Sequence, residues 1–236
     1  MKKNVFYVNV LLAHHIADDL TYKIISDQKP GVGTIVKAPL RSKDKIGIVT
    51  KILDNNPSNN LKIKNIIDIS GDHKLNKKMI KFLNWVSDYN LIQRGLVLKM
   101  ILSHRKFYFN KITDKKLDED TLPIKNVTLS ENQKKISNEI FQLLSKKIYI
   151  PILLDGVPGA GKTEIYFDVL KKILINGSQA LIMFPEVSLT SDFVKRIEER
   201  FGKKPDVWHS KINETKKSKT LRRILSGEAK IIIGAR

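Results

Sequence analysis

Asp155-Gly156-Val157-Pro158-Gly159-Ala160-Gly161-Lys162-Thr163-Glu164-Ile165-Tyr166 is the stretch on which the reading of this chain turns. Residues 156–163 satisfy the pattern G-x-x-x-x-G-K-[ST] in full. Glycines at this spacing let backbone N–H groups converge on phosphates, where any Cβ would intrude. A helix opening at the loop adds its positive end. Lys162 is expected to reach the β- and γ-phosphates of a nucleotide, and the Thr163 hydroxyl to ligate Mg²⁺. The flanks agree with this. Ile150–Asp155 reads as a buried strand, and Ile165, Val169 and Ile173, with neighbours Tyr166, Leu170 and Leu174, recur at helical spacing.

Working outward, strand and helix alternate. Residues 130–146 read as a helix with Ile136, Ile140, Leu143 and Leu144 on one face. Beyond the loop helix come strand Ala180–Phe184, helix 188–201, strand Asp206–Trp208, helix 213–225 and strand Lys230–Ile233. This alternation predicts an α/β lobe, a parallel sheet covered on both faces, over residues 129–236. The chain stops at Arg236 directly after a strand, so the lobe is expected to be incomplete.

The first part has a different grammar. Val5–Leu12, Thr34–Pro39, Ile46–Leu53 and Ile63–Ile69 are strand-like runs separated by turn signals such as Pro30-Gly31. Leu75, Met79, Phe82, Leu83, Val86 and Tyr89 then recur at helical spacing. A small β-rich domain over 1–105 follows, with 106–128 as a charged linker around Pro123.

Composition bounds the partners. The 236 residues carry 43 Lys+Arg against 24 Asp+Glu, a formal net charge of +19. So large an excess fits a polyanionic partner, although an AT-rich genome also enriches Lys, Asn and Ile. The chain has no cysteine, which excludes disulfides and thiolate metal sites within it. Val5–Ala13 is broken by Asn9 and makes a poor signal peptide. No run approaches the ~18–20 apolar residues of a membrane span, so a cytoplasmic, membrane-free location is expected.

Gln133, in Leu129-Ser130-Glu131-Asn132-Gln133, opens the helix before the loop. A glutamine amide can pair with N6 and N7 of adenine, which favours ATP over GTP.

With these residues in place, the chain resembles the primosomal protein N′ (PriA) family, superfamily 2 DNA helicases of replication restart. The resemblance rests on Asp155–Tyr166 (DGVPGAGKTEIY), Leu181–Thr190 (LIMFPEVSLT), His209-Ser210 and Ile231–Arg236 (IIIGAR), in family order and spacing. It implies a RecA-like lobe that binds ATP and Mg²⁺ through Gln133, Gly156, Val157, Pro158, Gly159, Ala160, Gly161, Lys162, Thr163 and Glu164. It also implies that Pro185, Thr190 and Arg236 face a DNA strand. The β-rich domain is similar to the family's 3′-end-binding domain, with Leu20-Thr21-Tyr22 where Phe-Asp-Tyr or Tyr-Asp-Tyr is usual. Lys64 stands at its basic position. Tyr22 is expected to stack a terminal base, whereas Thr21 lacks the carboxylate that accepts from a 3′-hydroxyl. Pro39-Leu40-Arg41 and Ile46-Gly47-Ile48-Val49 match a family strand pair.

By resemblance the activity is ATP-dependent 3′-to-5′ unwinding of forked or single-stranded DNA during restart. Primosome proteins and single-stranded DNA-binding protein are partners, and the nucleoid is the location. The family's winged helix does not fit between Ser103 and Val127. Its Asp-Glu motif, second lobe and zinc module have no counterpart, so zinc is expected only in a further C-terminal part and this chain alone is expected to be inactive. Two other readings compete. A non-catalytic DNA-binding adaptor could retain a P-loop, but the intact Lys162-Thr163 speaks against decay. A small-molecule P-loop kinase usually carries the loop near its N-terminus, and here it begins at residue 156.

Overall fold

The computed structural model describes residues 4–55, 57, 62–103, 107–109, 124–146, 148–185, 191–210 and 212–235, with backbone alone at 72, 191 and 235. The chain divides into two compact units, Met1–Asp114 and Lys115–Arg236.

The first unit is built on five antiparallel strands: β1 (Asn4–Leu12), β2 (Leu20–Ser26), β3 (Thr34–Leu40), β4 (Lys43–Leu53) and β5 (Asp68–Lys74). Their spatial order is β2-β1-β4-β3-β5. The two-residue period of a strand sends alternate side chains to opposite faces, and here both faces are buried. Val8, Val10 and Leu12 of β1 join Tyr22, Ile24, Val36, Ala38 and Val49 on one side. Leu11 and Ala13 join Ile35, Ile46 and Ile48 on the other, beneath two helices, α1 (Lys77–Asn90) and α2 (Arg94–Ile101). The helices contribute Leu83, Val97 and Leu98 to that core. Gly95 lets α2 approach β1 closely, because a Cβ there would strike the carbonyl oxygens of Leu12 and His14.

Two differences from the sequence reading stand out here. The fourth strand lies at 68–74 rather than 63–69, since residues 64–66 follow β2 through single backbone bonds: Lys23 N–H donates to the Lys64 carbonyl at 3.0 Å and Ile66 N–H to the Lys23 carbonyl at 2.8 Å. The second concerns α1. Its buried face is Ile80, Leu83, Val86 and Ser87, whereas Phe82 and Tyr89, expected on the core side, lie outside. An apolar count at helical spacing cannot separate two adjacent apolar faces of one helix.

The second unit begins with α3 (Glu131–Leu144), closed at its start by a reciprocal cap. The Ser130 hydroxyl accepts from Gln133 N–H, and the Gln133 side chain accepts from Ser130 N–H. Five more elements follow α4 (Lys162–Ile175): β6 (Ala180–Phe184), α5 (Ser191–Phe201), β7 (Asp206–Trp208), α6 (Glu214–Leu225) and β8 (Ile231–Ala235). The sheet is parallel, ordered β6-β8-β7, with Ala180 opposite Ile231 and Asp206 opposite Ile232. Phe167, Leu170 and Leu174 of α4 and Ile197 and Phe201 of α5 cover one face against Ile231 and Ile233. Arg223 of α6 grips Asp206 through both carboxylate oxygens, at 3.0 and 3.2 Å.

The expected strand at Ile150–Asp155 is not formed. The segment is irregular, and Leu153 is 92% exposed. An apolar run becomes a strand only where a neighbour completes its backbone ladder, and among the described residues neither edge of the sheet pairs with it. Among the described residues the sheet is likewise not covered on both faces, because Leu181 and Met183 of β6 are exposed.

Candidate nucleotide-binding and DNA-binding sites

The glycine loop leads straight into α4. Asp155 to Ala160 are solvent-exposed, Gly159 and Gly161 adopt φ of 80° and 78°, and α4 starts at Lys162. Those left-handed angles suit glycine alone among common residues and turn successive amides toward the same side. Ala160 N–H closes a turn onto the Val157 carbonyl at 3.2 Å. Among the described residues the N–H groups of Gly159, Gly161, Lys162 and Thr163 find no protein acceptor. The last two are the ordinary orphan donors of a helix start, and with Gly161 they form an array open to an anion.

Lys162 folds back over the loop. Its Nζ donates to the carbonyls of Gly156 and Val157, the latter at 3.2 Å. A phosphate would be a stronger partner than these neutral carbonyls. A Cβ at Gly159 would meet nothing within 4 Å, so the mouth of the loop is open, whereas one at Gly161 would collide with Gln133 Nε2. The donor set therefore fits a polyphosphate. It holds backbone amides, one ammonium and one hydroxyl, that of the half-buried Thr163.

Gln133 is brought to the loop, as expected from its position, but its amide is already engaged. Oε1 accepts from Ser130 N–H at 2.9 Å and Nε2 donates to the Ala160 carbonyl at 3.4 Å. Glu164, within the first turn of α4, pairs with Arg196 at 3.0 Å and so braces α4 against α5. Behind the loop, α3 is pinned to α4 by a polar cluster. Ser137 Oγ donates to Asp168 Oδ2 at 2.6 Å, and Lys172 Nζ reaches the same oxygen at 2.8 Å. Burial pushes the Asp168 carboxyl upward, but the hydrogen bonds from Lys172 and Ser137 outweigh it and hold the group below its ordinary range.

Of the residues expected to face DNA in this unit, Pro185 lies exposed just past the end of β6, beside the end of β8 because Phe184 pairs with Ala235. Thr190 and Arg236 lie outside the described residues.

In the first unit, Tyr22, Lys23 and Lys64 come together through the bridge between β2 and Asn65. Lys64 is exposed. Tyr22 is not placed as expected. It is 3% exposed, its hydroxyl donates to the Pro39 carbonyl at 3.0 Å, and burial raises its pKa. A ring packed in the core offers no face to a base unless the strands part. Thr21 is held by the ladder, donating to Asn9 Oδ1 at 3.1 Å.

The structure adds a feature that the sequence reading missed. A cleft of about 520 Å³ is lined by His14, His15, Arg41, Lys43 and Lys45, with no carboxylate among its walls. Tyr22 donates to the carbonyl of Pro39, the residue before Leu40, which lines the cleft. No spacing rule links residues 14–15 to 41–45. Only the antiparallel pairing of β1 with β4, and of β4 with β3, joins them.

Comparison with known proteins gives one family match in each unit. Residues 9–103 match the PriA 3′ DNA-binding domain (3′BD), and residues 130–236 match the DEAD/DEAH box helicases. The replication restart protein PriA of Rickettsia conorii is 34% identical over 226 residues, covering 92% of this chain and 32% of that protein. PriA of Bacillus subtilis is 34% identical over 146 residues, 62% of this chain and 17% of that protein. PriA of Haemophilus influenzae is 42% identical over 95 residues, 40% of this chain and 13% of that protein. The chain thus spans about a third of the length of the Rickettsia relatives it matches. With matches to the PriA 3′ DNA-binding domain and then to the helicases, and with similarity to Rickettsia PriA over 92% of its length, the chain belongs to the PriA family.

Proposed function

We propose that this chain supplies the DNA-holding unit and the nucleotide-gripping lobe of an ATP-dependent 3′-to-5′ DNA helicase of replication restart. The observation that carries the reading is the open array of amides at Gly161, Lys162 and Thr163, with the Lys162 ammonium poised over the same loop. Residues 1–105 hold DNA, 106–128 link, and 129–236 form part of the ATP-binding lobe. Bound Mg-ATP supplies the phosphoanhydride whose cleavage drives strand movement. Gly156 to Thr163 cradle the phosphates, and Thr163 ligates the metal. Gln133 reads adenine after exchanging its bond to the Ala160 carbonyl for one to the base. Glu164 keeps α4 fixed through Arg196 while the loop is loaded.

DNA enters through its phosphates. Arg41, Lys43 and Lys45 line the cleft of the first unit, Lys64 lies beside β2, and Pro185 is exposed just past the end of β6; Thr190 and Arg236 are the further strand contacts of the proposal. These residues supply the nucleotide grip; hydrolysis also needs a carboxylate to orient water and a second lobe. Other primosome proteins and single-stranded DNA-binding protein are the partners this role requires, in a nucleoid-associated, cytoplasmic setting. No described helix is long and apolar enough to cross a membrane.

The test is a salt titration. The 236-residue chain should bind forked or single-stranded DNA with an affinity that falls steeply as salt rises, each neutralised phosphate contributing a slope of roughly 0.7–0.9 in log–log form. Binding that ignores salt removes the DNA-holding role. Robust DNA-stimulated ATP turnover by these residues alone contradicts the reading that they grip the nucleotide without hydrolysing it.

A further inference from the structure

Phe82, Trp85 and Tyr89 stand on the outer face of α1 in a continuous row, 52%, 57% and 74% exposed. Their rings stack on one another. The Phe82 and Trp85 centroids are 6.0 Å apart with 27° between planes, and those of Trp85 and Tyr89 are 5.2 Å apart with 21°. The spacing i, i+3, i+7 follows one helical stripe, opposite the face that carries Leu83 and Ser87 into the core. Lys78 occupies the preceding position of the same stripe and Lys81 flanks it, and both are exposed. Across the whole helix Asp88 is the sole acidic residue against Lys77, Lys78 and Lys81.

Three large rings kept in water are costly unless something covers them. The neighbouring charges indicate what that is. An apolar protein partner gains nothing from ammonium groups along the stripe, whereas a nucleic acid strand offers bases to the rings and phosphates to the lysines. The rings already touch, so a base does not enter between them. Tyr89 ends the row with its outer side free, and a base stacked there would extend the column.

We propose that the outer face of α1 is a stacking platform for unpaired bases of single-stranded DNA, with Tyr89 and Trp85 taking the bases and Lys78 and Lys81 the adjoining phosphates. This deepens the DNA-holding role above and rests on it. It adds a second track, on a helix, to the basic cleft at the strand turns, and it reads base faces rather than backbone alone.

The test uses the full chain and two labelled strands of equal length, one oligothymidylate and one abasic, followed by anisotropy at fixed salt. The Trp208→Phe protein, in which Trp85 is the one tryptophan of two that remains, reports stacking by its emission. The platform predicts that the base-bearing strand binds about tenfold or more tightly than the abasic one and quenches Trp85. The pair Trp85→Leu and Tyr89→Leu should erase that preference while leaving abasic affinity and the melting curve unchanged. Equal affinity for the two strands with unquenched Trp85 overturns the proposal. A self-association seen by sedimentation and abolished by the same pair also overturns it, by making the row a contact between copies. Failure of both strands to bind removes the DNA-holding role itself, and the platform with it.

Discussion

The side-chain amide of Gln133 lies 3.4 Å from the main-chain carbonyl of Ala160, so the first turn of α3 touches the phosphate loop directly. One residue thereby does two things. Its oxygen closes the cap of α3, and its nitrogen rests on the loop that a nucleotide would occupy.

Substitution at this position separates the two roles. Glu at the same place keeps a capping oxygen for Ser130 N–H but cannot donate to Ala160 or to adenine N7. Gln133→Glu should therefore retain the melting temperature within a degree or so while binding ATP more weakly through the lost N7 bond. Gln133→Ala should lose that affinity and also about 1 kcal/mol of stability through the broken cap. Unchanged ATP affinity in the Glu protein, measured by competition with a fluorescent nucleotide, would remove the adenine-contacting role.

Leu91 closes α1 at φ 54°, with its side chain 94% exposed and its N–H bonded to the Asp88 carbonyl at 3.4 Å. A left-handed backbone costs an L-residue with a Cβ roughly 1–2 kcal/mol, and the exposed side chain returns little by burial. Leu91→Gly should relieve that strain and stabilise the first unit by about 1 kcal/mol, after the added freedom of glycine in the unfolded chain is subtracted. Denaturant unfolding would check it, and a destabilised Gly protein would show that Leu91 packs against something in solution.

The cluster of Ser137, Asp168 and Lys172 predicts an acid response. The folded carboxyl of Asp168 titrates below its unfolded value, so its contribution is present above the unfolded pKa and is lost as pH falls through the folded one. The coupling of α3 to α4 should hold from neutrality to about pH 5 and weaken below about pH 4. Asp168→Asn should abolish that step and cost about 2 kcal/mol at pH 7, since it breaks charge-assisted bonds at 2.6 and 2.8 Å. Acid unfolding followed by circular dichroism would show it, and an unaltered acid limb would contradict it.

What the sequence carried and what it hid follow physical lines. The loop was legible because its chemistry is local. Glycines, Lys162 and Thr163 must sit within eight positions of each other, and α4 starts at Lys162. Helices α3 and α6 were legible from caps and periodicity, with Ser130 and Asn213 at their starts. The segment at 150–155 was misread because an apolar run looks the same whether or not a partner strand exists. Strand β2 and helix α2 went unread, as Leu20–Ser26 mixes polar residues into a short run and Arg94–Ile101 is only two turns long. The basic cleft and the outward aromatic row were invisible for a different reason. The first depends on pairings between distant strands, and the second on which of two apolar faces the core selects.

The central claim, that residues 156–163 grip a nucleotide's phosphates, is tested most directly by Mg²⁺-dependent binding of a fluorescent ATP analogue to the chain and to its Lys162→Ala form. Charge-assisted bonds to phosphate contribute about 1.5–3 kcal/mol. The account predicts weak, saturable binding by the parent and at least a tenfold loss in the variant, with no change in its melting curve. Equal affinity in the two proteins would contradict it.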